Sequence, residues 1–181
     1  MQQLNVVWLR NDLRSFDNAV LSSATEDAAK TGAAVLALYI ATPDSWQLHD
    51  MAAIKQDLLR RRVKQLQQEL ATLNIPLLAV EGSSYQQIPA VFTRLGQHFL
   101  LKVFVQSEYE LREQQRDNLV EHAVQVSNGQ FICFDTQCIM PPGSVRTQQG
   151  DIYKVFTPFK RSWLVQLKQQ GISCYTRPKE I

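Results

Sequence analysis

Five short apolar runs, at residues 4–9, 34–40, 75–80, 100–105 and 131–134, recur along the chain with stretches of helical period between them. The clearest helical stripe lies at 51–73, where Met51, Ile54, Leu58, Leu59, Val63, Leu66, Leu70 and Leu73 share one face. Further helices are expected at 17–30, 86–97, 110–126 and 157–169. Each interval is long enough for a crossover, and short continuous apolar runs are the mark of strands buried on both faces. The pattern therefore predicts an α/β fold, a five-stranded parallel sheet with helices on both faces, joined by right-handed crossovers.

Size and composition suit one sizeable core: 181 residues, 45% hydrophobic and 20% charged. The 19 basic and 17 acidic side chains leave a formal charge of +2, too little for a surface that tracks phosphate backbones. No apolar stretch approaches the ~18 residues of a spanning helix, and the 4–9 run is too short for a signal segment, so a cytoplasmic protein without membrane partners is expected. Cys133, Cys138 and Cys174 form no CxxC pair, which suits free thiols. With no histidine near them, Cys133 and Cys138 are expected to be buried packing residues and no metal is expected.

The richest local stretch is LNVVWLRNDLRSFDN at 4–18, where an apolar run breaks into Arg10, Asn11, Asp12 and Arg14 before a run rich in Ala and Leu. Charged side chains released at the carboxyl end of a first strand stand where open α/β sheets bind ligands. The plain alternative is a local Asp12–Arg14 pair with Asp17 capping the next helix. Two other loops follow apolar strands, ATPDSWQLHD at 41–50 and QSEYELRE at 106–113. In the first, His49 stands beside Trp46, Asp50 and Met51, a set able to hydrogen-bond and stack a flat ligand, or else a helix entry with Asp50 as cap. In the second, the spacing reads Arg112 and Glu113 as first-turn charges of a helix, with Glu113 favoured by the helix dipole and paired to Arg116 or Asp117 at the surface. Arg60, Arg61, Arg62 and Lys64 read as a solvated helix face.

The chain has seven glycines, none in GxGxxG or GxxxxGK[ST], so no phosphate-cradling loop is supported. HExxH, GxSxG and any cluster of His, Asp and Ser are missing, and no hydrolytic nucleophile stands out. The tail at 171–181 carries Pro178 and no apolar period, and reads as a linker.

Taken together, WLRNDLRSFDN (8–18), LYIATPDSWQLHDM (38–51), EYELREQQRD (108–117) and IMPPGSVRTQQGDIYKVFTPFKRSW (139–163) resemble the amino-terminal domain of the DNA photolyases of the cryptochrome/photolyase family, most like the bacterial class I cyclobutane-dimer enzymes with a folate antenna. The resemblance runs from residue 4 to about 168. It implies a Rossmann-like antenna-binding domain over 1–169, a linker starting at 170–181, and a separate helical domain, absent from this chain, that holds FAD and meets damaged DNA. It also implies that an antenna chromophore is held by His49 and Glu113, which match the folate-binding pattern, with Arg112 standing where that pattern has asparagine. Methenyltetrahydrofolate is the expected antenna, with a deazaflavin or flavin held more centrally, near Arg10 and Asp12, as the alternative. The implied activity of the whole protein is light-driven repair of pyrimidine dimers. A cryptochrome-type photoreceptor and a stand-alone nucleotide-binding module remain the other readings, the latter disfavoured by the lack of a Gly-rich loop.

Overall fold

The computed structural model describes residues 1–82 and 84–180, so Ile181, the last position of the expected linker, lies outside the described residues. The five apolar runs form β1 (Gln3–Leu9), β2 (Ala34–Ala41), β3 (Leu77–Glu81), β4 (Leu100–Gln106) and β5 (Gln130–Phe134). All pair in parallel, in the order β3-β2-β1-β4-β5. The third strand starts later than its apolar run because Pro76 has no N–H to give to a ladder. Its carbonyl still accepts from the Ala37 amide at 2.9 Å.

Helices α1 (Ala19–Thr31), α2 (Pro43–Leu48), α3 (Ala53–Ala71), α4 (Ile88–Gly96) and α5 (Leu111–Val126) fill the connections. Alternation along β1 sorts the core into two layers. Val7 and Leu9 pack with Val20 and Leu21 of α1 and Val63, Leu66 and Leu70 of α3. Leu4, Val6 and Trp8 pack on the other face with Ile88 and Phe92 of α4 and Val120 and Val124 of α5. Trp8 meets Phe92 edge to face, ring centroids 5.1 Å apart. Gly129, entering β5, has no room for a Cβ, which would stand 2.8 Å from the Leu101 carbonyl oxygen.

Several local expectations are corrected. The cap of α1 is Asn18, whose side chain accepts from the Leu21 amide, rather than Asp17, which sits at φ 47°. Asp12 does not pair with Arg14: it accepts from the Arg10 amide at 3.0 Å, while Arg14 Nε donates to the Asp17 carbonyl at 2.7 Å. The segment after β2 is not an open loop, since 43–48 form a short helix started by Pro43 at its first turn. Asp50 lies at φ 49° and caps nothing; α3 starts after Ala52 without a side-chain cap. Cys133, Cys138 and Cys174 are free thiols, exposed rather than buried, Cys133 because it lies on an edge strand.

Helix α3 overshoots the sheet. At ~1.5 Å per residue it is longer than the strand it returns to, so Val63, Leu66 and Leu70 are buried while Ile54 and Leu58 are exposed. The arginine run on this helix is not uniformly solvated: Arg62 donates to both oxygens of Glu69, at 2.6 and 2.9 Å, and to the Leu13 carbonyl at 2.8 Å.

The described chain divides into two compact units. The first is Met1–Phe134 with the tail from Tyr175. That tail is hydrogen-bonded to the sheet unit: Asp17 and Tyr175 exchange a pair of bonds at 2.8 and 3.0 Å, and Arg177 donates to the Glu69 carbonyl and the Thr72 hydroxyl at 2.8 and 2.7 Å. Arginine at the last turn of α3 suits the helix dipole there. The second unit, Asp135–Cys174, holds an antiparallel bridge between Arg146 and Ile152 and helix α6 (Phe156–Gln170), on which Ser162 bonds the Tyr153 hydroxyl at 3.1 Å.

Glu69 joins α3, the Ser15 hydroxyl and Arg62, and these partners, Arg62 first, hold its carboxyl down from 4.5 to about 2. Because the folded value is the lower one, the stabilisation is complete above the ordinary value and disappears as pH falls through about 2. In urea unfolding, Glu69→Gln is expected to be less stable than wild type at pH 7, with the gap narrowing steadily below pH ~4.5. A gap independent of pH would show that the carboxylate is not the stabilising group.

Candidate functional site

In this strand order the chain reverses its direction of winding at β1, and ligands of open α/β sheets bind beyond the carboxyl ends at such a point. A cleft of about 250 Å³ lies there. Its walls come from the ends of β1 and β2, from α2, from the overshooting first turns of α3, from the turn at Tyr85–Gln87 and from the start of α5. Tyr39, Trp46 and Tyr85 give it aromatic walls, and Glu108 and Glu113 bring carboxylates to it.

One side of the cleft rests on a buried group of charges. Arg10, just past β1, donates from Nη1 to both oxygens of Asp117 at 2.8 Å and from Nη2 to the Gln106 carbonyl. Arg116 donates to Glu108 and to Asp117, each at 2.6 Å, and Asn11 donates to the other oxygen of Glu108. Two guanidiniums thus face two carboxylates, a neutral set, with Arg116 and Glu108 each 5% exposed at the side chain. Both guanidiniums also lie over the Trp8 ring, at 4.6 and 5.0 Å from its centroid. Burial alone would lower the Arg116 pKa, but Asp117 and Glu108 outweigh it and raise it.

The outer side of Arg116 covers the Tyr85 ring at 5.1 Å. The Tyr85 hydroxyl donates to Glu113 at 3.0 Å, and burial together with that carboxylate pushes the phenol up to about 12. Glu113 therefore finds its partner across the cleft, in Tyr85, rather than in the Arg116 and Asp117 neighbours the sequence suggested. Arg112 and Glu113 sit on the first turn of α5 instead of on a loop. Glu113 and His49 both line the cleft. His49 ends α2, and its ring accepts from Arg112, which lies outside the cleft in an adjoining hollow shared with His49 and Tyr85. Asp12, proposed for a central site, is 4% exposed and folded back on its own loop.

The arrangement offers stacking surfaces, carboxylate acceptors and a histidine. Among the described residues no three His, Cys, Asp or Glu side chains group as a metal site requires, and no helix is long and apolar enough to cross a membrane. Its chemistry is that of a holder for a flat, polar-edged molecule. Sequence reasoning missed Glu108, Arg116, Asp117 and Tyr85. The density of charge in EYELREQQRD was the available signal for the first three.

Glu108→Gln removes one of two carboxylates and leaves a buried cation uncompensated. A loss of about 3–5 kcal/mol in unfolding free energy is expected, of which the double variant Glu108→Gln/Arg116→Met recovers a large part by removing both partners. Strictly additive losses would mean that the pair is not coupled.

The DNA photolyase family model matches residues 5–178. The chain is 44% identical to the deoxyribodipyrimidine photo-lyase of Vibrio cholerae over 89% of its own length and 34% of that protein's. It is 37% identical to the enzyme of the same name from Escherichia coli over 97% of its own length and 36% of that protein's. In structure it is similar to a Synechocystis cryptochrome, with a TM-score of 0.73, 20% identity and coverage of 99% of this chain and 36% of that one. A class III photolyase from Agrobacterium tumefaciens gives a TM-score of 0.68 at 20% identity, over 100% and 37% of the two chains. The chain spans about a third of the length of the relatives it matches. The match to the DNA photolyase family runs from residue 5 to residue 178, and the chain belongs to that family.

Proposed function

We propose that this chain is the light-harvesting part of a deoxyribodipyrimidine photo-lyase, and that the cleft holds its antenna chromophore. The observation that carries this reading is the meeting of His49 and Glu113 in one aromatic-walled cleft at the strand ends, although 64 positions separate them in sequence. Methenyltetrahydrofolate fits these residues: Glu113 would accept from the amino and ring N–H groups of its pterin, Trp46 and Tyr85 would flank the ring, and His49 would close the far side. Arg112 holds the His49 ring from outside the cleft and so engages a ring nitrogen that the ligand would otherwise take. A flavin or deazaflavin placed more centrally, near Arg10 and Asp12, is less well served, because the Arg10 guanidinium is already engaged by Asp117 and Gln106.

When bound, the antenna would absorb near-ultraviolet or blue light and pass the excitation to a reduced FAD, the electron donor to a pyrimidine dimer in DNA. The FAD and DNA sites belong, in this reading, to the helical domain of the whole protein. The residues here hold and orient the pigment, exclude water from its faces and match its polar edge. Close relatives named as photo-lyases favour repair over signalling. A cytoplasmic setting, reducing enough to keep three exposed thiols free, fits the cysteines.

Titration of the protein with methenyltetrahydrofolate tests the reading. A charge-assisted contact to Glu113 is worth ~1.5–3 kcal/mol, so Glu113→Ala is expected to weaken binding by roughly ten- to hundredfold. Arg112→Asn is expected to preserve or improve it. Wild-type affinity in Glu113→Ala would move the antenna out of this cleft.

A further inference from the structure

Two indoles and two phenols line the cleft, Trp8, Trp46, Tyr39 and Tyr85, and they are not equivalent as electron donors. Trp8 lies against the Arg10 and Arg116 guanidiniums, 4.6 and 5.0 Å from its centroid. An electron taken from that indole would leave a positive ring against two cations, which Coulomb repulsion opposes. Arg116 lies over the Tyr85 ring too, at 5.1 Å, so a charged radical is opposed there as well. What Tyr85 has, and among the described residues Trp8 does not, is an acceptor for its proton. Its hydroxyl donates to Glu113 Oε1 at 3.0 Å, within the reach a general base needs, and Oε2 is left for a ligand's amino edge. Among the described residues Tyr85 is the only tyrosine of the cleft with a carboxylate on its hydroxyl. Loss of an electron and a proton together leaves its ring neutral beside Arg116.

Resting on the antenna reading above, we propose that Tyr85 and Glu113 form a proton-coupled electron donor that discharges a photo-excited pigment in the cleft when its excitation is not passed on. Tyr85 gives one electron to the excited ring. Its hydroxyl O–H bond breaks as the proton crosses the hydrogen bond, and an O–H bond forms on Glu113 Oε1. Tyr85 is then a neutral phenoxyl radical and Glu113 a neutral carboxylic acid. Electron and proton both return to Tyr85, so nothing is consumed and the absorbed energy leaves as heat. The oxidant is an excited conjugated cation, the class to which methenyltetrahydrofolate belongs through its amidinium bridge. Burial, with Glu113 beside it, pushes the phenol up to about 12, so the proton stays on Tyr85 until the electron leaves. The oxidised phenol is a strong acid, and the carboxylate is already in place to take its proton.

Transient absorption of the protein loaded with methenyltetrahydrofolate tests the pair. A light pulse in the pigment's band is expected to produce the narrow absorption of a neutral tyrosyl radical as the emission decays, and to produce it more slowly in heavy water. An electron given by Trp46 would move no proton and leave no tyrosyl band. In Tyr85→Phe, which keeps the ring and removes the hydroxyl, the radical band is expected to be lost. The emission of the bound pigment should then last longer, and the pigment should bleach faster under steady light. Glu113→Gln removes the base and, at ligand concentrations that restore full occupancy, is expected to slow radical formation by roughly a hundredfold or more. The heavy-water comparison needs no variant and serves if Tyr85→Phe does not fold. Bound pigment that yields no tyrosyl radical, equal rates in light and heavy water, or a radical that persists in Tyr85→Phe would each overturn the donor pair and leave the antenna site standing. Failure of the pigment to bind would remove the antenna reading and the pair with it.

Discussion

The buried set of Arg10, Arg116, Glu108 and Asp117 is the interaction on which the site depends. It ties the loop after β1 to the end of β4 and the second turn of α5, three pieces of chain that the sheet alone would leave loose at their tips. Charges so thoroughly removed from water stabilise a fold little, since desolvation offsets most of their attraction. What they impose is geometry: each guanidinium has its acceptors in fixed directions, and both are pressed on Trp8 from the core. With Arg116 fixed, Tyr85 is covered, and with Tyr85 fixed its hydroxyl aims at Glu113. A line of contacts therefore runs from the first strand to the carboxylate at the cleft.

The remaining walls follow from element lengths. A long α3 returning to a short edge strand overshoots, and its first turns stand above the strand ends, where Lys55 and Leu59 face the cleft. A two-turn α2 fills the gap between β2 and α3, burying Trp46 and leaving His49 at its end. The cleft is thus shaped by backbone geometry and made polar by a few side chains anchored from beneath, a division that suits the proposed task of orienting a pigment.

Most of the fold was legible in the sequence. Parallel strands buried on both faces leave continuous apolar runs, and the stripe of α3 is long enough to show its period. Helix α2 was not legible, because six residues beginning with proline are too few to display any period. Asn18 rather than Asp17 caps α1 although both have capping side chains, because Asn18 has the extended backbone of a cap while Asp17 lies at φ 47°. His49, Arg112 and Glu113 were singled out by resemblance, and their closeness is a matter of topology. The charge set was hidden for a physical reason: Arg116 and Asp117 sit in a polar helix with little amphipathic signal, and nothing local distinguishes a buried arginine from a solvated one.

A crystal structure of the protein grown with methenyltetrahydrofolate tests the central claim most directly. The predicted result is a pterin ring between His49 and Glu113, its amino edge on the Glu113 carboxylate, with Arg10 still on Asp117 and Arg116 still on Glu108. A ring bound elsewhere on the chain, or one that reaches this cleft only by displacing those charge pairs, would contradict it.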